Sequence, residues 1–208
     1  MKKATIVTLA LVLVLAASTF ASAANYIGGG IGIIGFTGAE AGATTEYVDA
    51  LPFALTLAVD FDVIDKLSVS ANGYIGIQKP EVAEAAVSDY KFNYMVGGYA
   101  KYALANLDAL KLGAVVGANY NNNFAPATLE PELNYGAGVF AEQPLGDTGT
   151  IFGQVMYWVK AAEEAPIMDH IGGLGGINFK ITEKIAVKGQ VEYVNKHALF
   201  SIGAGYSF

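Results

Sequence analysis

Hydrophobic side chains alternate with small or polar ones along most of the chain, at the two-residue period of an extended strand. Residues 51–63 show this most fully. Leu51, Phe53, Leu55, Leu57, Val59, Phe61 and Val63 share one face, and Pro52, Ala54, Thr56, Ala58, Asp60 and Asp62 share the other. A second run sets Leu67, Val69, Ala71, Gly73, Ile75 and Ile77 against Ser68, Ser70, Asn72, Tyr74, Gly76 and Gln78. A third sets Tyr90, Phe92, Tyr94, Val96, Ala100, Tyr102 and Leu104 against Lys91, Asn93, Gly97 and Lys101. Further runs at 110–121, 132–142, 150–160, 170–180, 185–195 and 198–208, with a Gly-rich one at 25–36, bring the expectation to ten strands. Breaks carrying Pro, Gly, Asn or charge separate them. Eight strands is the alternative, if two weaker runs around 25–36 or 185–208 are misread.

Strand length then decides the medium. Soluble sandwiches use strands of about five or six residues, whereas crossing a bilayer at a tilt takes ~9–11. The runs reach the longer figure, and no stretch beyond Ala23 has the ~18 apolar residues of a helical span. In hydrocarbon every backbone N–H and C=O needs a partner, so such strands must close into a ring without edges. The expected fold is an all-β, transmembrane, up-and-down antiparallel barrel, with Leu, Val, Ile, Phe and Tyr toward lipid. Gly, Ala, Ser, Asn and charged groups line a narrow lumen.

Aromatic positions fit two interfacial belts. With the N-terminus on the periplasmic side, Phe61, Tyr102, Phe179, Tyr206 and Phe208 fall near one rim. Phe53, Tyr90, Phe92, Tyr120, Tyr157, Tyr193 and Phe200 fall near the other. Links after even-numbered strands are short and those after odd-numbered ones mostly longer, the pattern of periplasmic turns and outer loops. The hairpin at Asn195-Lys196-His197 is the exception.

Composition adds an address. Lys2 and Lys3, the apolar stretch Ile6 to Ala17 and the small residues Ala21-Ser22-Ala23 read as a secretory signal over 1–23, which leaves one domain at 24–208. The chain has no cysteine, so neither a disulfide framework nor a thiolate metal site is available. Its net charge of −7 becomes −9 once Lys2 and Lys3 are removed, and gives no electrostatic reason to expect nucleic acid.

The final segment alternates Phe200, Ile202, Ala204, Tyr206 and Phe208 with small residues and finishes on an aromatic. This resembles the C-terminal signature of bacterial outer-membrane β-barrel proteins. The whole mature chain is similar to the small-barrel group that includes the OmpA transmembrane domain, OmpX and OmpW. The resemblance implies residence in the cell outer membrane of a Gram-negative-type envelope. Its implied partners are outer-membrane lipid and, during biogenesis, the barrel assembly machinery that reads the terminal signature. A peptidoglycan-binding domain of the OmpA kind is not expected.

Charge placement shapes the functional expectation. The outer connections hold ten acids, among them Glu46, Glu84, Glu163, Glu164 and Asp169, against Lys79 and Lys196. An acidic outer mouth would attract cations and repel anions. The candidate lumen charges are Asp60, Asp62, Lys101, Lys111, Glu142, Lys180, Lys188 and Glu192. Pairing of Lys101, Lys111, Lys180 and Lys188 with Asp60, Asp62 and Glu142 would plug the tube, because an unpaired confined charge is costly. Ten strands enclose more space than the eight that side chains just fill, which leaves room for a narrow path or a ligand cavity. The expectation is a structural barrel or porin-like, weakly conducting pore that passes small cations or solutes if anything, with no cofactor.

Catalysis and ligand binding by other routes carry weaker signals. Gly30, Gly32 and Gly35 match a dinucleotide-binding spacing, but without the strand-turn-helix context that makes it work. His170 and His197 are the two histidines, and both are expected at solvated loop or rim positions. Ser201 lies four residues beyond His197, unlike the two-residue spacing of lipid A deacylases. Asp169 and His170 echo the His–Asp pair of omptin proteases only faintly, since strand neighbours point to opposite faces. An outer-membrane hydrolase and a surface adhesin or ligand-binding barrel are the alternatives, and no catalytic or metal residue is assigned.

Overall fold

A computed structural model describes residues 26–36, 53–78, 91–107, 109–121, 132–159, 170–194 and 197–207. These form ten strands: β1 (Tyr26–Phe36), β2 (Phe53–Ile64), β3 (Leu67–Gln78), β4 (Lys91–Leu107), β5 (Leu110–Asn121), β6 (Glu132–Leu145), β7 (Gly149–Val159), β8 (Ile171–Lys180), β9 (Ile185–Val194) and β10 (His197–Ser207). Each pairs antiparallel with its chain neighbours, and β1 pairs with β10, from Tyr26 opposite Ser207 to Phe36 opposite His197. The sheet is therefore a closed barrel, and both runs on which the eight-stranded alternative depended are strands of it.

Closure follows from the register. Every ladder is continuous except for two bulges, between Asp62 and Ile64 in β2 and between Ala103 and Ala105 in β4. Each inserts one residue near a short turn, where bulges bend a strand and re-aim its side chains. The β2 bulge corrects the sequence reading at one place. Val63 was expected to continue the apolar row, but the extra residue shifts the parity so that exposed Ile64 takes that role.

The two faces separate as the alternation requires. Phe53, Leu55 and Leu57 are exposed, the last two at 69% and 58%, while Ala54 between them is buried. Ile27, Ile31 and Ile33 of β1 and Phe200, Ile202 and Tyr206 of β10 point outward in the same way. Val59 departs from its row and is buried. Exposed apolar side chains on all ten strands far exceed the few hundred Å² a soluble monomer exposes, the outer face that a transmembrane barrel requires.

Exposed aromatics collect at the two ends. Tyr102, Phe179 and Tyr206 sit opposite Leu67, Gly149 and Ile185 beside the short turns. Phe53, Tyr157 and Phe200 lie toward the other end, where the rings of Tyr94 and Tyr120 come within 6.1 Å. Phe61, Tyr120 and Tyr193 are partly buried. Tyr90 and Phe208 lie outside the described residues, as do residues 1–23, the acidic outer loops and the side chain of Phe92.

Local chemistry sets the short turns. Gly146 adopts a φ of 62° between β6 and β7, a left-handed conformation that glycine takes without a Cβ clash. Between β8 and β9 the Thr182 hydroxyl accepts from the backbone N–H of Lys184 at 3.2 Å and of Ile185 at 2.9 Å, replacing ladder bonds that the reversal loses.

The lumen holds more bulk than the sequence reading assigned to it. Tyr99, Ala103, Val115, Phe140, Met156 and Trp158 form a buried apolar cluster inside the ring. Trp158 fits because its neighbours lack side chains. A Cβ on Gly136 would lie 2.9 Å from indole Cε3, and one on Gly172 would lie 2.5 Å from Nε1. The single tryptophan is thus an interior residue and not an interfacial one. Its fluorescence should be unaffected by brominated acyl chains in reconstituted protein, whereas the double variant Trp158→Phe/Tyr157→Trp should be strongly quenched. Equal quenching of the two proteins would contradict this inside-outside assignment.

Candidate functional site

Inward side chains of several strands meet across the lumen, and polar groups occupy three levels. At the short-turn end lie three ion pairs. Lys101 Nζ is 3.2 Å from Glu142 Oε1, Lys111 Nζ is 3.9 Å from Glu142 Oε2, and Lys188 Nζ is 2.9 Å from Asp60 Oδ2. Lys188 also stands over the rings of Phe152 and Tyr26 at 5.0 and 5.7 Å, and Lys101 over Phe140 at 5.7 Å. The aromatic faces add a cation–π attraction of roughly 0.5–2 kcal/mol each.

At mid-depth Glu192 of β9 is 3% exposed and faces two strands on the far wall. Its Oε2 accepts from Asn72 Nδ2 of β3 at 3.0 Å, and its Oε1 accepts from the Tyr99 hydroxyl of β4 at 3.2 Å. In a ring of ten, β9 and β4 are diametrically opposed, so the Glu192–Tyr99 bond is a strut across the barrel. Tyr99 continues it by meeting Trp158 of β7 edge-on, with centroids 6.3 Å apart.

Above this strut the lumen is packed. Asn119, Asn121 and Asn134 are buried, with Asn119 Oδ1 accepting from Asn121 Nδ2 at 2.8 Å and from Asn134 Nδ2 at 3.2 Å. Met95 and Met156 are buried as well, each at 2% exposure. His170 corrects the expectation of a solvated rim residue, for it is buried, its Nδ1 lies 2.8 Å from the Trp158 carbonyl oxygen, and its ring stacks on Tyr157 at 5.2 Å. The backbone of His197 opens β10, and its side chain lies outside the described set.

Most of the lumen charges named from sequence therefore meet in space: Asp60, Lys101, Lys111, Glu142 and Lys188 pair as ions, and Asp62 lines the same chamber. Lys180 differs, standing exposed at the end of β8 outside these pairs. Glu192 is held by neutral donors rather than by a lysine. Tyr99, Trp158 and the three asparagines were missed. The signal for Tyr99 and the asparagines was parity, since each falls on the small or polar row of its strand, whereas Trp158 shares its row with Thr150, Phe152, Gln154 and Met156.

No family model matches the sequence, and no curated protein matches it. Among solved structures, the outer-membrane protease OmpT from Escherichia coli superposes with a TM-score of 0.53 at 9% identity, covering 91% of this chain and 98% of that one. The chain has the fold of a bacterial outer-membrane β-barrel. The attachment invasion locus protein Ail of Yersinia pestis aligns at a TM-score of 0.40 and 13% identity, covering 89% of this chain and 97% of its own. Outer membrane phospholipase A from Escherichia coli aligns at 0.44 and 12%, covering 88% and 89%. The OmpT superposition bears on the fold and not on activity.

The strut yields a quantitative expectation. Tyr99→Phe removes one of the two neutral donors on a buried carboxylate, and a hydrogen bond to a charged group contributes about 1.5–3 kcal/mol. The variant should lose its heat-modifiable gel shift at a lower temperature than the parent. Adding Glu192→Gln should restore part of the loss, because a neutral amide needs the second donor less. Unchanged melting of Tyr99→Phe would show that the strut does not stabilise the barrel.

Proposed function

We propose that this chain is an exported outer-membrane β-barrel that serves as a membrane scaffold, with a lumen closed at mid-depth that conducts weakly or not at all. The observation that carries this reading is the strut of Glu192, Asn72 and Tyr99 spanning the ring, backed by the buried cluster of Val115, Phe140, Met156 and Trp158. Tyr99, Val115, Phe140, Met156, Trp158 and Glu192, each exposed at 5% or less, support a narrow or closed lumen at that level.

Residence in the outer membrane is supported by the apolar outer face, the barrel fold shared with OmpT and the outward row Phe200, Ile202, Ala204 and Tyr206 on the last strand. In this reading residues 1–23 direct export, the short turns face the periplasm, and the barrel assembly machinery reads the terminal row. Where ions do pass, cations are preferred, because the connections between the long-loop ends carry an excess of acids. A hydrolytic role would fall to His170, which is buried with Nδ1 on the Trp158 carbonyl oxygen and its ring against Tyr157.

Planar-bilayer recording tests the reading. The purified barrel should give no resolved steps, and the double variant Tyr99→Ala/Trp158→Ala should open small cation-preferring ones. Large anion-selective steps from the unaltered protein would overturn it, as would lipid or peptide turnover abolished by His170→Ala.

A further inference from the structure

A groove of about 1010 Å³ crosses the outer surface of the barrel over β1, β10, β9 and β8. Phe53, Ile33 and Phe200 rim it at one end, and Ile177 and Ile151 at the other. Phe53 opens β2 at the long-loop end, whereas Ile151 lies two residues from the start of β7 beside a short turn, so the groove descends through the thickness of the barrel. It stops short of Phe179, in the zone between the two aromatic belts that hydrocarbon surrounds.

The floor of the groove is Gly175 and Gly189. Gly189 stands in the ladders between Ile202 and Ile177, and Gly175 between Val191 and Gly153, so neighbouring side chains wall the floor. Packing within the chain does not call for glycine at either position. A Cβ on Gly175 would meet nothing nearer than the Phe152 carbonyl oxygen at 3.6 Å, and one on Gly189 nothing nearer than Ile177 Cγ2 at 3.9 Å. Gly176, on the inward row beside them, differs, because a Cβ there would collide with the Gly189 carbonyl oxygen. Glycine inside a strand weakens the sheet, and where the fold does not need it, it marks a place that a ligand approaches closely.

The lining selects that ligand. The outward side chains of the groove are Ile, Val and Phe; Gln190 and Ser201 border it from the inward rows of β9 and β10, and none of the described residues lining it is charged. Nothing there would grip a phosphorylated sugar or another charged head group, so the contact is with a hydrocarbon chain. We propose that the groove seats one straight acyl chain of a bilayer phospholipid, entering beside Phe53 and Phe200 and reaching Ile177, with its head group left at the interface. Dispersion contact with a floor bare of side chains sets this chain apart from the others around the barrel. The proposal rests on residence in the membrane, and it is independent of whether the lumen conducts.

The experiment uses the full barrel purified in detergent, with the heat-dependent gel shift confirming the fold of each variant. Dipalmitoyl phosphatidylglycerol is titrated in, and native mass spectra count the lipids retained. One saturable lipid is expected, held equally well when phosphatidylethanolamine carries the same chains and less well when the chains are methyl-branched, as in diphytanoyl phosphatidylglycerol. Filling the floor with Gly175→Leu/Gly189→Leu should weaken retention by about threefold or more. Gly98→Leu is the matched control, an exposed glycine of β4 on the wall opposite β9, and it should bind as the parent does. The proposal is overturned by retention that survives the double filling, by retention confined to one head group, or by equal retention of straight and branched chains. A dimer that the double filling dissolves would overturn it too, by showing a second copy on this face. Failure of membrane residence reads differently, as a folded barrel that stays dispersed in water without detergent.

Discussion

Backbone hydrogen bonding without water is the constraint on which the rest of this structure depends. Each N–H and C=O left unpaired in hydrocarbon costs several kcal/mol, and a sheet removes that cost only when its first and last strands meet. The ladder between β1 and β10, eleven residue pairs from Tyr26–Ser207 to Phe36–His197, is that meeting. Once the ring is shut, side-chain direction is no longer free. Odd and even residues of each strand are assigned to lipid or lumen, and the chemistry of each row follows from the medium it faces.

The lumen is where this sequence departs from a simple lining of small residues. Charges confined there must be paired or hydrogen-bonded, and this chain does both at different depths. Near the short turns lysines neutralise carboxylates and lean on aromatic faces; deeper, Glu192 is satisfied by an amide and a phenol from the opposite wall. Removing one member of such a set leaves its partner uncompensated, which costs more than the pair itself gains. The polar groups therefore brace the ring across its width, while the apolar cluster around Trp158 supplies the packing that a hollow tube lacks.

Much of this was legible in the sequence for a physical reason. A strand between two immiscible media writes its orientation at period two, so Phe53, Leu55 and Leu57 announced the outer face and Ala54, Thr56 and Ala58 the inner one. Bulges break that code: the extra residue at Val63 hands the outward role to Ile64, and nothing local marks where a ladder will slip. Lumen contacts are less legible still. Glu192 meets residues 120 and 93 positions away in the chain, and such pairings depend on ring closure and strand stagger rather than on neighbours in sequence. Tyr99 could be placed inward by parity, but the mixed row of Trp158 gives no such signal, and aromatic composition alone argues for the interface. His170 was read by its residue type as a solvated group, when proximity to the Trp158 carbonyl oxygen and the Tyr157 ring buries it.

The absence of cysteine allows a direct test of the inside-outside arrangement. Single cysteines placed in turn at residues 53 to 58, spin-labelled and reconstituted in lipid, report relative collision rates with oxygen and with a water-soluble nickel chelate. The account predicts a strict two-residue oscillation, with oxygen favoured at 53, 55 and 57 and lower oxygen accessibility at 54, 56 and 58. A flat profile, or one with the opposite phase, would contradict a closed barrel whose apolar row faces the bilayer.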